Sequence, residues 1–414
     1  MKKIIVLIVT LLLIGCSNDA IDVMGNISGY YEGSIDISNT TLPLTLELSA
    51  EKELTGSIDI SVQNVYDLKI EEVEYDEDEI KFSIQLGDSR GYFAGVIEEG
   101  NYHGEFIQNG IIFPFEFIKA DRPSFTGIES FEYGTNGLTI VGELMIPKTE
   151  EPYPVAVIIG GSGMTDMNGN SNAGVFTNSY KYIAKTLQDN GIASLRYNKR
   201  TIGNQVVETE LSFDDFITDA VGIVESLKMD SRFSDVYLIG HSQGALVAQL
   251  TSKQTEISKV VLVAGAGRPI DEVLLSQVEG QVDENIYNEL VEILKQNKMG
   301  TIVEDVPEEL NALIRPSVQP FLASWMQYDP VEVIASMDNE ILVINGSTDI
   351  QVPVSDGEKL TQGNPEVIQV IIKDMTHVLK EASLDQEDNL KTYQNIDLPL
   401  HDEFVDALID FLNQ

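Results

Sequence analysis

The sequence has a single cysteine, Cys16, among its 414 residues. A disulfide within the chain is therefore impossible, and a zinc site made of several thiolates is excluded. Histidine is also scarce, with four residues in the whole chain. Each of these histidines can therefore be considered individually as a candidate for chemistry.

Basic residues are too few to balance the acidic ones. The chain has 26 Lys and Arg against 67 Asp and Glu, which gives a formal net charge of −41 at pH 7. A field of this sign repels phosphate backbones, so we expect no nucleic-acid partner. The hydrophobic fraction of 43% and the charged fraction of 22% exclude a disordered or multi-span membrane protein. A chain of this length is expected to form more than one domain.

The N-terminus has an uncharged run over 4–14, directly after two lysines. This run has about half of the roughly 20 residues that a membrane-spanning helix needs. It ends in Leu-Ile-Gly-Cys, which resembles the lipobox of bacterial lipoproteins, with an ordinary signal peptide or a buried apolar segment as the alternatives. We therefore predict a lipoprotein signal peptide over 1–15, lipid on Cys16 and a polar tether over 16–27. The expected location is extracytoplasmic, with the protein anchored by its lipid to the bacterial cell membrane.

Residues 28–120 alternate between apolar and polar positions with a period of two, most clearly over 42–48, 80–86 and 113–117. This pattern predicts an antiparallel β domain of about eight strands, closed or nearly closed. Three aromatic-x-Gly repeats in it are interpreted as packing against bends, and a ligand-binding cup is the alternative. The acidic run over 71–79 is predicted to be a solvated turn.

The pattern changes after a predicted linker over 121–127. A hairpin is predicted over 128–147 at the start of the second domain, 128–414. Continuous apolar runs then alternate with helical stretches. Strands that are apolar on both faces and separated by helices indicate a mostly parallel sheet covered on both sides. A helical stretch over 266–337 interrupts the alternation and is predicted to be a lid. The predicted strands are 155–159, 192–195, 236–239, 260–263, 341–344 and 367–372, and the predicted helices are 179–189, 213–228, 243–253 and 400–413.

The segment Gly240-His241-Ser242-Gln243-Gly244 has the form G-x-S-x-G. The motif alone is weak evidence, but it follows an apolar strand and opens a helix. In this strand–turn–helix context, a nucleophilic serine is presented on a strained turn. Glycines two residues before and after the serine are needed because the backbone segments on the two sides of the turn lie close together. We therefore predict Ser242 as a nucleophile. A glycine-rich turn without chemistry is the alternative.

A serine needs a neighbouring base to become a good nucleophile. His377 follows the last predicted strand, where its loop reaches the catalytic edge of the sheet, and we predict it as the base. His401, which precedes the last predicted helix, is the alternative and is expected to cap or pack instead. Asp349 is the only carboxylate in the loop after 341–344 and is predicted to orient the imidazole, with Asp374 as the alternative.

The developing oxyanion needs donors that are already in place. We predict the backbone amide of Gln243, at the start of its helix, as one donor. The second is predicted to be the amide of Ser162, within the glycine-rich loop over 160–163. That loop continues with a D-x-N-x-N pattern over 166–170, which lacks the glycine and glutamate of a calcium loop, so we predict no metal site.

These motifs together resemble the α/β-hydrolase superfamily over about 128–414. The segments over 159–166, 196–200 and 320–325 are similar to those of a bacterial carboxylesterase group that often carries a β-rich N-terminal domain. The resemblance implies an α/β-hydrolase fold with a mostly parallel sheet and a helical lid, preceded by a small antiparallel β domain. It also implies a serine esterase without cofactor.

The resemblance assigns the catalytic triad to Ser242, Asp349 and His377. The chain departs from the group at Asn168 and Asn198, where aspartate is common, and these departures concern substrate preference rather than the triad. We predict a membrane-anchored serine carboxylesterase that cleaves short- to medium-chain acyl esters of a small molecule through an acyl-enzyme. A peptidase or thioesterase with the same triad and a non-enzymatic surface ligand-binding lipoprotein are the alternatives. We predict no particular oligomeric state.

Overall fold

The computed structural model describes residues 27–37, 40–49, 54–60, 65–76, 79–87, 89–98, 100–120, 126–171, 173–396 and 398–414. The predicted signal peptide, Cys16 and most of the predicted tether and linker lie outside these ranges. The chain divides into two compact units, residues 1–124 and 125–414. None of the helices within the described ranges combines the length and the hydropathy that a bilayer-spanning segment requires.

The first unit is an antiparallel sheet, which confirms the predicted β domain. Its strands in the described ranges lie in the order β4-β3-β2-β1-β9-β8-β7-β6-β5. The two edge strands follow each other along the chain with Ile70 between them, so the chain passes directly from one edge to the other. The strands are β1 Gly29–Ile37, β2 Thr40–Ser49, β3 Thr55–Ile60, β4 Val65–Lys69, β5 Glu71–Asp76, β6 Glu79–Leu86, β7 Ser89–Glu98, β8 Asn101–Gln108 and β9 Ile111–Ala120.

Residues 71–76 of the acidic run form strand β5, so the predicted turn is wrong over these residues. The described part of the sheet has nine strands, where about eight were predicted. Strand β5 pairs with β6 along the edge of the sheet. The carboxylates of Glu71 and Glu72 lie 2.8 and 2.7 Å from the guanidinium of Arg90 on β7. Charged side chains are common on edge strands, so a run of acids with a cationic partner nearby is compatible with strand pairing.

Aromatic rings fill the interior of the first unit. The ring of Phe93 lies 4.7 to 6.1 Å from the rings of four other phenylalanines. Gly95 faces Gly104 across β7 and β8, and a Cβ on Gly95 would come within 2.3 Å of the carbonyl oxygen of His103. The glycines therefore let strands approach closely beneath the rings, which supports the packing interpretation of the aromatic-x-Gly repeats.

The second unit is built on an eight-stranded sheet with the order β10-β11-β13-β12-β14-β15-β16-β17. Strand β11 runs antiparallel to both of its neighbours, and every other pair is parallel. This is the α/β-hydrolase fold that the resemblance implied. The strands are β10 Ile128–Thr135, β11 Leu138–Met145, β12 Tyr153–Ile159, β13 Ala193–Tyr197, β14 Phe233–His241, β15 Lys259–Val263, β16 Glu340–Gly346 and β17 Ile368–Ile372.

Helices cover both faces of this sheet. On β12, Val155 and Val157 pack in one core with the helix over 213–228. Ala156 and Ile158 pack in the core on the other face, with the helices over 179–189 and 402–412. The parallel strands are therefore apolar on both faces, as predicted. The helices are α1 Ser179–Asp189, α2 Phe213–Lys228, α3 Gln243–Ser252, α4 Ile270–Val278, α5 Glu284–Lys298, α6 Asn311–Ile314, α7 Gln319–Trp325, α8 Pro330–Ile334, α9 Val354–Gly363, α10 Gln386–Lys391 and α11 Asp402–Leu412, with short 3-10 turns at Glu208–Glu210, Glu308–Leu310 and Thr392–Gln394.

The stretch predicted as a lid contains helices α4 to α8, which lie between β15 and β16 in the chain. These helices have a hydrophobic core of their own, in which Leu290, Leu310 and Ile314 are at most 1% exposed. A segment with its own core can keep its shape while it covers another surface.

Candidate active site

Ser242 lies at the sharp turn between β14 and α3. Its φ of 54° and ψ of −120° are strained for a residue with a side chain. A Cβ on Gly240 would lie 2.3 Å from the carbonyl oxygen of Gly244, and one on Gly244 would lie 2.2 Å from that of Ile159. Both flanking positions therefore require glycine, and the hydroxyl of Ser242 does not cap the helix that follows.

Asp349 and His377 form a buried pair beyond the ends of β16 and β17. The Nδ1 atom of His377 lies 2.8 Å from Oδ2 of Asp349, and the two side chains are 6% and 0% exposed. The other carboxylate oxygen accepts the amides of Gln351 and Val352 at 2.8 and 2.9 Å. The carboxylate is therefore fixed by backbone donors, and it orients the imidazole so that Nε2 points away from it.

The pair also lies next to the serine turn. The rings of His377 and His241, the residue before Ser242, are 4.9 Å apart. The carbonyl oxygen of His377 is 2.8 Å from Nε2 of His241. The structure thus brings the loop of His377 into direct contact with the turn that carries Ser242.

The two alternative residues have other roles. Nδ1 of His401 accepts the amide of Glu403 at 3.3 Å and caps helix α11. Asp374 has a positive φ of 59° and its carboxylate is 3.4 Å from the ammonium of Lys373. His401 is therefore a helix cap and Asp374 a turn residue, and both roles are structural.

The amides of Gln243 and Ser162 follow the neighbouring strands β14 and β12. Gln243 is the first residue of α3, so its amide has no acceptor within the helix. The amide of Gly161 is already used, because it donates to the hydroxyl of Tyr180 at 2.9 Å. Within the ranges that the structure describes, neither the Ser162 nor the Gln243 amide has an acceptor. These two amides can therefore receive an anionic oxygen.

Lys199 joins the two backbone segments that carry these amides. Its Nζ donates to the carbonyl oxygen of Gly161 at 2.8 Å and to Oε1 of Gln243 at 2.6 Å. Burial lowers the pKa of Lys199 to about 7. Sequence reasoning used this lysine only as part of a family motif. The signal for its role was a lysine two residues after the end of strand β13.

Asn198 and Asn168, the two positions where the chain departs from the esterase group, both accept hydrogen bonds through their side-chain oxygens. Oδ1 of Asn198 accepts the amide of Met167 at 2.8 Å. The side-chain oxygen of Asn168 accepts from the guanidinium of Arg196. The carboxylate of Asp166 accepts the amides of residues 168 and 170, both at 2.8 Å. The loop over 160–170, which carries the predicted donor Ser162 (the oxyanion loop), is therefore held at these two positions by asparagine side-chain oxygens. Aspartate is common at both positions in the group.

A cavity of about 510 Å³ opens beside these groups. Ser162, Ser242 and Gln243 contribute to its lining, and much of the rest is apolar and comes from the lid helices and from α2 and α3. Glu208 is the only acid among the described residues that line it, and it is bound by Arg315 and Ser317. Such a cavity favours an uncharged, apolar group next to the serine. Its apolar walls include Phe216, Leu246, Ile270, Leu274, Phe321 and Trp325.

Two comparisons with known proteins place the chain near hydrolases. A family model described as serine aminopeptidase, S33, matches residues 174–355. The chain is 28% identical over 353 residues to esterase EstD of Thermotoga maritima, which covers 83% of this chain and 79% of that protein. These two matches support a hydrolase, and the second supports an esterase.

Two solved structures each match 69% of the chain. Est1E from Butyrivibrio proteoclasticus has a TM-score of 0.45 and 16% identity, and covers 69% of this chain and 99% of that one. A bromoperoxidase from Bacillus anthracis has a TM-score of 0.43 and 18% identity, and covers 69% of this chain and 100% of that one.

The lowered pKa of Lys199 predicts a pH dependence of stability. Between pH 7 and 10.5 the unfolded chain keeps a proton on this lysine that the folded chain releases, so this group makes the free energy of unfolding rise with pH. We expect Lys199→Met to flatten that rise, measured by urea unfolding at a series of pH values. Lys253→Met, at an exposed lysine, is the control. Equal slopes for wild type and Lys199→Met would contradict the assignment.

Proposed function

We propose that this protein is a lipid-anchored serine carboxylesterase that cleaves short- to medium-chain acyl esters. Ser242 is the nucleophile, His377 the general base and Asp349 the acid that orients it. The observation that carries the proposal is the buried Asp349–His377 pair, 2.8 Å apart, on a loop that contacts the serine turn. Buried carboxylate–imidazole pairs beside a strained serine are the arrangement that activates a hydroxyl for acyl transfer.

The reaction proceeds in two half-reactions. Nε2 of His377 takes the proton of the Ser242 hydroxyl as its oxygen attacks the ester carbonyl, and the carbonyl oxygen becomes an anion held by the amides of Ser162 and Gln243. The imidazolium then gives its proton to the leaving alkoxide, which departs as the alcohol and leaves an acyl-enzyme. Water, deprotonated by the same imidazole, attacks the acyl-enzyme, and Ser242 recovers its proton as the acid is released.

The cavity supports an acyl group of limited length. A volume of about 510 Å³ lies within the range of small-molecule sites. Its apolar walls favour a hydrocarbon chain, and Trp325 and Phe321 from the lid limit the room at one side. The chain length that fits is therefore set by the lid.

A peptidase is the second candidate, because the matching family model is described as a serine aminopeptidase. An aminopeptidase needs a carboxylate that is free to bind the substrate's ammonium group. The one acid in the cavity lining, Glu208, is bound to Arg315 and Ser317. The described site therefore favours an ester over a peptide with a free amino terminus.

The anchoring part of the proposal rests on the sequence. The apolar run over 4–14 is too short to span a bilayer, and it ends at the lone Cys16. Two or three acyl chains on one residue are enough for stable attachment, whereas one is marginal. The proposed location is the outer face of the bacterial cell membrane.

The nucleophile assignment predicts that Ser242→Ala lowers kcat/KM for p-nitrophenyl butyrate by at least about 10³-fold, because the covalent route is lost. Ser252→Ala, at the other end of helix α3, is the matched control and should retain wild-type turnover. A Ser242→Ala enzyme with wild-type kcat/KM would refute the assignment.

The choice between esterase and aminopeptidase predicts a substrate ranking. We expect the purified protein to hydrolyse p-nitrophenyl butyrate faster, in kcat/KM, than alanine p-nitroanilide, because no cavity carboxylate is available for the amino group. Faster hydrolysis of the anilide would establish the peptidase candidate instead.

The anchor predicts that Cys16→Ser moves the protein from the membrane fraction to the soluble fraction of expressing cells, because the lipid can no longer be attached. Mass spectrometry of the wild-type N-terminal peptide should show acylation at Cys16. Ser17→Ala is the control and should stay with the membrane. An unmodified Cys16 in membrane-associated protein would contradict this part of the proposal.

A further inference from the structure

Two buried side chains connect the loop of Ser162 with the loop of His377. The amide of Gly161 lies 2.9 Å from the hydroxyl oxygen of Tyr180. The same hydroxyl lies 2.8 Å from Nδ1 of His241. Nε2 of His241 lies 2.8 Å from the carbonyl oxygen of His377. These three contacts form one continuous chain of hydrogen bonds.

The protons in this chain have a single placement when the ring of His241 is neutral. The amide of Gly161 can only donate and the carbonyl of His377 can only accept. Nε2 of His241 must therefore carry a proton, which it donates to the carbonyl of His377. In a neutral ring Nδ1 is then an acceptor, so the hydroxyl of Tyr180 donates to it while its oxygen accepts from Gly161. The chain thus requires one neutral tautomer of His241.

The surroundings keep both side chains neutral. Tyr180 is 4% exposed and His241 is 8% exposed. Burial, together with the nearby His377, lowers the pKa of His241 to about 3, and burial raises the pKa of the Tyr180 hydroxyl. Both side chains therefore stay neutral near neutral pH, and the direction of each hydrogen bond in the chain is unchanged there.

We propose that Tyr180 and His241 are positioning residues that fix the oxyanion loop and the loop of the general base relative to each other. Gly161 precedes Ser162, which lines the cavity, so the hydrogen bond to Tyr180 constrains the backbone that carries the Ser162 amide. The hydrogen bond from His241 fixes the backbone of His377, and thereby the position from which its imidazole extends. This inference rests on the proposed function, because it assigns the residues a part in the same site.

The neighbouring contacts show why the chain is confined to this geometry. Ser179, next to Tyr180 in the first turn of α1, donates to the carbonyl oxygen of Val378 at 2.7 Å. The first turn of α1 therefore holds both loops at once. A Cβ on Gly161 would lie 3.4 Å from Nδ1 of His241 and 3.3 Å from Cβ of Ser242, so the oxyanion loop is already at contact distance from the serine turn.

The test compares Tyr180→Phe with Tyr182→Phe. Both remove one hydroxyl from helix α1, and the hydroxyl of Tyr182 donates to the carbonyl oxygen of Ile396 at 2.6 Å, outside the chain described above. We expect Tyr180→Phe to lower kcat for p-nitrophenyl butyrate by about 10- to 100-fold with KM unchanged, since small misplacements of reacting groups have effects of this order. Tyr182→Phe should keep the wild-type kcat. Equal kcat values for the two variants would overturn the proposal.

A second measurement does not depend on activity. The ¹⁵N NMR spectrum of the wild-type protein at pH 7, assigned by comparison with His241→Gln, should show His241 as a neutral imidazole protonated on Nε2. An Nδ1-protonated or doubly protonated ring would overturn the proposal, even if Tyr180→Phe does not fold. A wild-type protein that shows this tautomer but hydrolyses no ester would instead refute the proposed function alone.

Discussion

The backbone of Gly244 lies so close to the carbonyl oxygen of Ile159 that even a methyl group would overlap it, at 2.2 Å. This contact brings the turn after β14 against the end of β12. Within that turn, Ser242 has a strained backbone conformation. The same contact places the start of helix α3 beside the glycine-rich loop. Ser162 and Gln243 therefore line the same cavity as Ser242, because two neighbouring parallel strands end there.

The remaining parts of the site follow from the topology of the parallel sheet. All of the parallel strands end at one edge, so the loops after β16 and β17 reach that edge with Asp349 and His377. Backbone amides hold the carboxylate, and the carboxylate holds the imidazole. The lid helices have their own core and line the cavity with apolar side chains, and Ser162, Ser242 and Gln243 also line it.

The basic side chains around the oxyanion loop are buried and use their donors in hydrogen bonds, in contrast to the acidic surface of the chain. Arg200 is 5% exposed and binds Asp215 and Asp219. Lys199, the residue before it, donates to the backbone of the loop and to Gln243. Buried cations are costly unless their donors are used, so each of these side chains is held in one position by the partners that compensate it.

Much of this arrangement could be predicted from the sequence, because it depends on local patterns and on strand order. Apolar runs identify parallel strands, and G-x-S-x-G after such a run indicates the turn of Ser242. The β5 strand was missed because a run of acids looks like a turn unless its partner, Arg90, is known. The roles of Tyr180 and His241 were missed because their contacts join residues far apart in the chain, and no spacing rule links such residues.

The account is tested most directly by a crystal structure of the protein after reaction with an alkyl fluorophosphonate. It predicts a phosphonate bonded to the Ser242 oxygen, with the phosphoryl oxygen within hydrogen-bond distance of the Ser162 and Gln243 amides and Nε2 of His377 beside the bonded oxygen. An adduct on another residue, an unmodified Ser242 in folded protein, or a phosphoryl oxygen directed away from both amides would contradict it.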